Sequence, residues 1–290
     1  MNWKVALELG RVSNLPTVWT NTIAGVALAG ASPVDARVPV LLLALSLCYV
    51  AGMFLNDAFD REFDTRHRSE RPIPSGRASV GAVFGAGYGL LAAGVLLLAW
   101  TGFGVSGGTG ARPLFAGLAL GAAIVVYDLH HKHNAWGPVV MGLCRLLVYV
   151  AAACAVVADP PARVLGVGLL LLSYLVGLTY FARQEHLGRI ATLWPLLFLV
   201  LPLLWALPAA ADGALVAVLW LLLLGWIVHA LWLLRRRRPG DVPRAVGALL
   251  AGICLWDALV VAVLGQPQLV LPLLGCFALT LVLQRYVAPT

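Results

Sequence analysis

Ten apolar segments follow one another along this chain, and each is close to the ~20 residues that a membrane-spanning helix needs. They lie at about 15–31, 38–57, 79–101, 113–129, 137–158, 163–182, 190–210, 213–234, 244–264 and 268–286. The segments are continuously apolar and do not alternate, which excludes a membrane β-barrel and leaves helices as the spanning elements. We therefore predict an all-α fold, a polytopic transmembrane bundle of nine or ten helices.

Composition supports the same class. Hydrophobic residues make up 61% of the 290 residues and charged residues only 11%, whereas ordinary soluble domains are about 25% charged. No polar stretch is long enough for a separate soluble domain, so residues 1–290 are predicted to form a single transmembrane domain. The net charge of +7 fits basic loops that bind lipid headgroups, and we expect membrane lipid as a partner and no nucleic acid.

Basic residues are distributed unevenly between the two sides of this predicted bundle. If the N-terminus is cytoplasmic, the opposite side carries only Arg37, Arg112 and Arg163 of the 20 Lys and Arg residues. Cytoplasmic loops are the basic ones in membrane proteins. We predict an integral protein of the bacterial inner (cell) membrane with a cytoplasmic N-terminus.

A cluster of carboxylates stands where the second apolar segment ends. Asp57, Asp60 and Asp64 are spaced i, i+3 and i+7, which places them on one face of a helix. Carboxylates near membrane depth are costly and rare, so this spacing favours a cation site facing the cytoplasm. The loop that follows contains Arg68 and Arg71, and guanidinium groups match phosphate oxygens. Acids beside such a loop predict Mg²⁺ together with a diphosphate.

Two further polar regions follow the fourth and sixth segments, on the same predicted side. In the first, Lys132 is a plausible phosphate ligand, and Arg145 lies about two turns into the next segment, where a charge is costly without an anionic partner. In the second, Glu185 is either a metal ligand or base, or a salt-bridge partner of a nearby arginine. Asp257, a lone acid in the ninth segment, is either paired inside the bundle or part of a site.

These motifs resemble those of a known family. Asn56-Asp57-x-x-Asp60-x-x-x-Asp64, followed by Arg71-Pro72-x-Pro74-Ser75-Gly76, resembles the first motif and adjoining loop of the UbiA superfamily of intramembrane prenyltransferases. The stretch from Arg11 to Asn21 resembles the family's approach to its first helix, and Tyr127 with Lys132 resembles its Tyr-x-x-x-x-Lys loop. The sequences of residues 56–64 and of the His-Lys-x-Asn loop are most similar to those of the EboC branch of this superfamily. One departure is Arg183-Gln184-Glu185, which stands where the family usually has a second aspartate-rich motif.

The resemblance implies a helical bundle with a central cavity that is capped on the cytoplasmic side. It implies Mg²⁺-dependent transfer of an isoprenyl group from an isoprenyl diphosphate donor to a small polar or aromatic acceptor. The candidate catalytic residues are then Asp57, Asp60, Lys132, Arg145 and Glu185. The candidate Mg²⁺ ligands are Asp57, Asp60, Asp64 and Glu185. The candidate substrate-binding residues are Asn21, Asn56, Arg68, Arg71, Tyr127, Lys132, Arg145 and Arg183.

Two alternatives stay open on the same scaffold. A membrane terpene cyclase or diphosphate lyase would release diphosphate without an acceptor. A non-catalytic carrier of isoprenoid diphosphates would bind the donor without cleaving it, and the single carboxylate at residue 185 is the feature that favours this reading.

Overall fold

The computed structural model describes residues 2–130, 134–183, 196–236 and 238–289. Within those ranges it contains helices and no strand, which confirms the predicted all-α class. The helices in chain order are α1 (Trp3–Leu9), α2 (Leu15–Ala29), α3 (Val38–Phe59), α4 (Arg61–His67), α5 (Val80–Phe103), α6 (Arg112–His130), α7 (Gly137–Val156), α8 (Arg163–Arg183), α9 (Leu196–Asp212), α10 (Ala214–Arg236), α11 (Asp241–Val263) and α12 (Val270–Leu283).

Ten of these helices correspond to the ten predicted apolar segments, and only the short α1 and α4 are additional. Among the described residues, seven helices are long and apolar enough to cross a membrane: α3, α5, α6, α7, α8, α10 and α11. Helices α2, α9 and α12 are shorter, with 15, 17 and 14 residues. The protein is therefore an integral membrane protein.

Helices α2 and α11 lie at the centre of the bundle. Helix α2 packs against α3, α7, α11 and α12, and the apolar window of α11 is 83% buried. A helix that is buried on all sides must satisfy its polar side chains inside the protein. This applies to Asn21 on α2 and Asp257 on α11, both of which are fully buried.

A close approach between α2 and α7 depends on Gly25. A Cβ atom added there would lie 2.9 Å from the carbonyl oxygen of Tyr149 and 3.0 Å from Cβ of Ala152. The missing side chain lets the two helices meet, as small residues do in lipid. One turn earlier on each helix, Asn21 and Arg145 are brought into hydrogen-bond contact.

The two ends of the chain lie on the same side of the bundle. Asn14, just before α2, donates from Nδ2 to the carbonyl oxygen of Pro289 (2.9 Å). Gln284, just after α12, donates from Nε2 to Asn14 Oδ1 (3.1 Å) and to the carbonyl oxygen of Gly247 (3.1 Å). This arrangement fits ten crossings, which return the chain to the side where it began.

On the other side of the bundle, two of the three arginines bind helix ends. Arg37 donates to the carbonyl oxygens of Ala155 (2.9 Å) and Val156 (3.3 Å), at the end of α7. Arg163 donates from Nε to the carbonyl oxygen of Leu28 (2.6 Å), near the end of α2. The last carbonyl groups of a helix lack partners within it, so these arginines have a structural role there.

Helix α1 and the loop after α4 form a cap over the carboxylate end of α3. Val5 and Leu9 of α1 pack against Phe54 and Ala58 of α3. Helix α3 ends at Phe59 and α4 begins at Arg61, so the chain continues in nearly helical form through Asp60. The three carboxylates predicted to share a face thus all lie beneath this cap.

Candidate active site at the polar end of the cavity

A cavity of about 690 Å³ lies between α2, α3, α6, α7, α8 and α11. Apolar side chains from the middle of the helices line its inner part, among them Leu45, Leu120, Val148 and Leu175. Polar residues line its other end, which we call the mouth: Arg11, Asn56, Asp60, Asp64, Arg68, Arg71, Tyr127 and Asp128. A cavity of this size, apolar with a few converging polar groups, is typical of a small-molecule site.

Asp57 binds two arginines at once. Its Oδ1 atom accepts hydrogen bonds from Arg11 Nη2 (2.9 Å) and Arg71 Nη1 (3.0 Å). Arg71 Nη1 also donates to Asp64 Oδ2 (3.2 Å). Both carboxylates are buried, so the two guanidinium groups compensate charges that would otherwise be costly near the membrane.

Arg11 also belongs to this cluster, although the sequence did not predict it as a site residue. It also donates from Nη2 to Asn56 Oδ1 (3.4 Å). Its backbone is left-handed, with φ of 41°. Among the residues that the structure describes, it is the only one other than glycine with a positive φ. Such a conformation costs about 1–3 kcal/mol and is common at functional sites. A single sequence contains no signal for the contacts of Arg11 or for its left-handed backbone.

The amide of Asn56 links a further carboxylate, that of Asp128, to Arg11. Asn56 donates from Nδ2 to Asp128 Oδ1 (3.1 Å), and both residues are buried. Asp128 stands in the last turn of α6, and its place at the end of an apolar helix is the sequence signal that would have added it to the site. The mouth therefore contains carboxylates from α4 and α6, together with Asp60 at the junction of α3 and α4.

The donor chemistry of the mouth suits a hard cation such as Mg²⁺, which prefers oxygen ligands. Asp64 Oδ1 is buried and has no hydrogen-bond partner among the described residues, so one carboxylate oxygen is available. No three His, Cys, Asp or Glu side chains converge at metal-binding distance in the part of the chain that the structure describes. The residues fit Mg²⁺ by ligand type, while the arginines hold Asp57 and Asp64 in the arrangement seen here.

Burial shapes the charge balance of the mouth. It raises the pKa of Asp64 above its ordinary value, and the nearby Arg71 guanidinium opposes this rise. Burial likewise lowers the pKa of Arg71, and the positive charge of Arg11 adds to that effect. Two like charges close together and partly desolvated are favourable only beside anions. Asp57, which pairs with both arginines, and Asp64, which pairs with Arg71, supply that negative charge.

Arg145 lies deeper in the cavity. It is buried, donates from Nη1 to Asn21 Oδ1 (3.0 Å), and has its Cζ atom 5.4 Å from the centroid of the Tyr49 ring. Tyr49 precedes Asn56 by seven residues on α3, so both face the cavity. This seven-residue spacing is the sequence feature that could have identified Tyr49 as a cavity residue.

Asp257 is paired inside the bundle, one of the two readings open from sequence. Its Oδ2 accepts from Asn21 Nδ2 (2.8 Å), and its Oδ1 accepts from the hydroxyl of Tyr149. Tyr149 lies one helical turn after Arg145, so the two side chains are on the same face of α7. This spacing is the sequence feature that could have indicated that both belong to one cluster. Asn21 does not line the cavity; its amide joins Arg145 to Asp257.

Some of the predicted site residues line the cavity and others do not. Asn56, Asp60, Asp64, Arg68, Arg71, Tyr127 and Arg145 all line the cavity, whereas Asp57 lies behind it, held by the arginines. Lys132 and Glu185, and the side chain of Arg183, lie outside the described residues. The roles assigned to those three residues therefore stay predictions.

Curated relatives with named activities match parts of this chain. Digeranylgeranylglyceryl phosphate synthase of Methanothrix thermoacetophila is 37% identical over 92 residues, which are 31% of this chain and 34% of the relative. The chloroplastic chlorophyll synthase of Arabidopsis thaliana is 28% identical over 148 residues, which are 46% of this chain and 36% of the relative. The chain thus spans about a third of the length of these curated relatives.

A solved structure described as that of digeranylgeranylglyceryl phosphate synthase in membranes has the same fold. It superposes with a TM-score of 0.62 over 92% of this chain and 99% of its own, at 18% identity. The family model described as UbiA prenyltransferase family matches residues 18–256, most of the chain, and confirms the resemblance drawn from the aspartate motif. The chain therefore belongs to the UbiA prenyltransferase family.

Proposed function

We propose that this protein is a Mg²⁺-dependent intramembrane prenyltransferase that moves an isoprenyl group from an isoprenyl diphosphate to a small polar or aromatic acceptor. The observation that carries the proposal is the cavity itself. Its mouth combines buried carboxylates with Arg11, Arg68 and Arg71, and its inner part is apolar. A ligand with a polyanionic head and a long apolar chain matches both parts.

The arginines of the mouth would bind the donor diphosphate. Arg11 and Arg71 each donate to Asp57, and phosphate oxygens accept the same donors in the same planar geometry. Arg68 lines the same end of the cavity. Binding of the diphosphate would move guanidinium donors from carboxylate to phosphate and leave carboxylate oxygens free.

Asp57, Asp60 and Asp64 would hold Mg²⁺, with Asn56 beside them and Glu185 as a further predicted ligand. When bound, the ion supplies Lewis-acid stabilisation of negative charge on the diphosphate. The unpartnered oxygen of Asp64 supports this assignment from the protein side. The arginines and Lys132 would neutralise the remaining charge.

The reaction breaks one bond and forms another. The bond between C1 of the isoprenyl chain and the diphosphate oxygen breaks, and its electron pair leaves with the diphosphate. The allylic cation that remains accepts an electron pair from the acceptor, which then loses a proton to a carboxylate or to water. Apolar residues such as Leu45 and Leu175 would exclude water from the cation, and the rings of Tyr127 and Phe63, which also line the cavity, would stabilise it from their faces.

The relatives support prenyl transfer and leave the acceptor open. The two named above are synthases of a digeranylgeranylglyceryl phosphate and of chlorophyll, whose acceptors differ. Because each covers only part of this chain, we extend to it the reaction class and not a particular acceptor. The mouth is proposed to face the cytoplasm of a bacterial cell, as the excess of basic residues on its side favours.

Diphosphate release tests the proposal. Purified protein in lipid nanodiscs is given Mg²⁺ and geranyl, farnesyl or geranylgeranyl diphosphate, with and without a polar cell extract as the source of acceptor. Release that requires both Mg²⁺ and extract supports a transferase. Release without extract would instead indicate a cyclase or lyase, and donor binding without any release would indicate a carrier.

A further inference from the structure

The segment that follows α12 reaches the mouth of the cavity. We call residues 284–289 the tail. Its first residue, Gln284, bonds to Asn14, and Pro289 lines the cavity together with Asn14. Asn14 and Pro289 are 275 residues apart in the chain. The tail therefore contacts the mouth without belonging to the helices that form the cavity.

The side chain of Asn14 is committed to the tail. Its Nδ2 atom donates to the carbonyl oxygen of Pro289 (2.9 Å), and its Oδ1 atom accepts from Nε2 of Gln284 (3.1 Å). Gln284 Nε2 also donates to the carbonyl oxygen of Gly247 on α11 (3.1 Å), which ties the tail to the bundle. Asn14 is only 3% exposed, and hydrogen bonds shielded from water are the stronger ones.

The local role expected of Asn14 does not account for its side chain. Asn14 occupies the N-cap position of α2, where asparagine is favoured because its side chain accepts from a backbone N–H of the first turn. The Asn14 side chain makes no such capping bond. Both of its polar atoms bind the tail instead, so its role is to join two distant segments.

A single tight turn separates Asn14 from Arg11. The backbone N–H of Asn14 donates to the carbonyl oxygen of Arg11 (3.1 Å). Residues Val12–Asn14 form a 3-10 turn that packs against α12. The Arg11 carbonyl oxygen also accepts from the hydroxyl of Tyr49 (3.3 Å). A displacement of Asn14 would therefore be passed to the backbone of Arg11.

Arg11 needs such support because its backbone is strained, with φ of 41° and ψ of 49°. A non-glycine residue keeps this left-handed conformation only when the surrounding structure fixes it. Asp57 holds the guanidinium group (2.9 Å), whereas the turn and the tail hold the backbone. Relaxation to an ordinary conformation would change the direction in which the side chain leaves the backbone and would take it away from the mouth.

We propose that the tail positions Arg11 for the donor diphosphate and that it does so through Asn14. The inference rests on the proposed function, in which Arg11 binds that diphosphate. Asn14 and Gln284 are positioning residues in this scheme, because they act on the donor through Arg11. Donor affinity then depends on a segment that follows the last helix.

A double-mutant cycle on the full chain in nanodiscs tests the proposal. Gln284→Met removes the amide at nearly constant volume, and the Kd of geranylgeranyl diphosphate with Mg²⁺ is measured. We expect Gln284→Met to weaken donor binding four- to tenfold in the wild-type background and less than twofold in an Arg11→Gln background. Gln268→Met is the matched control, since Gln268 is exposed on the other side of the bundle, and it should leave the donor Kd unchanged.

The cycle distinguishes positioning from other roles of the tail. Equal weakening by Gln284→Met in the two backgrounds would overturn the proposal, because the tail would then act on the donor without Arg11. A lower unfolding temperature with an unchanged donor Kd would overturn it as well, because the contacts of Gln284 would then be structural only. Asn14→Ala provides a second variant, and it should give the same dependence on Arg11.

Hydrogen exchange tests the hold of the tail on Arg11 without any donor. The backbone N–H groups of Arg11 and Asn14 donate to Glu8 and Arg11 respectively, and local opening of these bonds sets their exchange rates. We expect Gln284→Met to speed their exchange at least tenfold and Gln268→Met to leave it unchanged. Unchanged exchange in Gln284→Met would overturn the positioning role. Faster exchange in that variant, combined with a wild type that binds no donor, would support the hold on Arg11 and contradict the prenyltransferase proposal.

Discussion

Arg11 donates a 2.9 Å hydrogen bond to Asp57, which lies 46 residues further along the chain. The arginine precedes the first membrane helix, and the aspartate is in the last turn of the second. Asp57 Oδ1 also accepts from Arg71, so a single carboxylate oxygen organises two guanidinium groups. The pairing keeps two positive charges at the mouth, where the proposed donor diphosphate would bind.

Replacing Arg11 should weaken donor binding. Arg11→Gln removes a charged donor for phosphate, and we expect the donor KM to rise at least tenfold, or about 1.4 kcal/mol. Steady-state kinetics with saturating Mg²⁺ measures this. Arg77→Gln is the matched control, because Arg77 pairs with Glu8 on the exposed surface, and exposed pairs contribute little. Equal KM values for the two variants would contradict the role of Arg11.

Replacing Asp57 should lower the stability of the fold. Asp57→Asn leaves Arg11 and Arg71 without their shared carboxylate and should destabilise the fold by about 3–5 kcal/mol. Thermal unfolding in nanodiscs measures this, with Glu62→Gln as the control, because Glu62 is exposed and its pair with Arg61 lies on the surface. Equal unfolding temperatures for the two variants would show that the ion pairs of Asp57 do not stabilise the mouth.

Removal of divalent metal should abolish turnover reversibly. Chelation with EDTA is expected to reduce diphosphate release to background, and added Mg²⁺ should restore it. Asp64→Asn removes the charge of the carboxylate that has an unpartnered oxygen, so it should raise the Mg²⁺ concentration needed for half-maximal rate at least tenfold. An unchanged Mg²⁺ requirement in that variant would exclude Asp64 as a ligand.

The contact between α2 and α7 should tolerate no side chain at residue 25. Gly25→Ala places a methyl group against Tyr149 and Ala152, and overpacking of this kind costs about 1–3 kcal/mol. It should also displace Asn21 from Arg145. Gly85→Ala is the matched control on α5, because a Cβ there meets nothing within 4 Å. Unfolding temperatures of the two variants should differ, and equal values would argue against the close approach.

Side-specific labelling tests the orientation. Ser69 and Ser106 are exposed loop residues on opposite sides of the bundle. In intact cells a membrane-impermeant maleimide should label Ser106→Cys and not Ser69→Cys, since the mouth is proposed to face the cytoplasm. The reverse pattern would contradict that orientation.

The helices were predictable because the lengths and boundaries of apolar segments follow directly from the bilayer. The shared face of Asp57, Asp60 and Asp64 was predictable for a similar reason, since helical periodicity is local. The hydrogen-bond partners of the site residues were not predictable from the sequence. Arg11 and Asp57, or Asn21 and Asp257, meet only through the packing of helices far apart in the chain, and a single sequence does not record which faces meet.

Transfer of the isoprenyl chain itself is the most direct test of the account. Geranylgeranyl diphosphate labelled with tritium at C1 would be incubated with the protein in nanodiscs, Mg²⁺ and polar cell extract, with Asp60→Asn as the inactive control. We predict that the wild type alone moves the label into a new lipid that lacks diphosphate and retains C1. Donor that is bound but recovered intact, or label recovered only in free prenols or hydrocarbons, would contradict prenyl transfer.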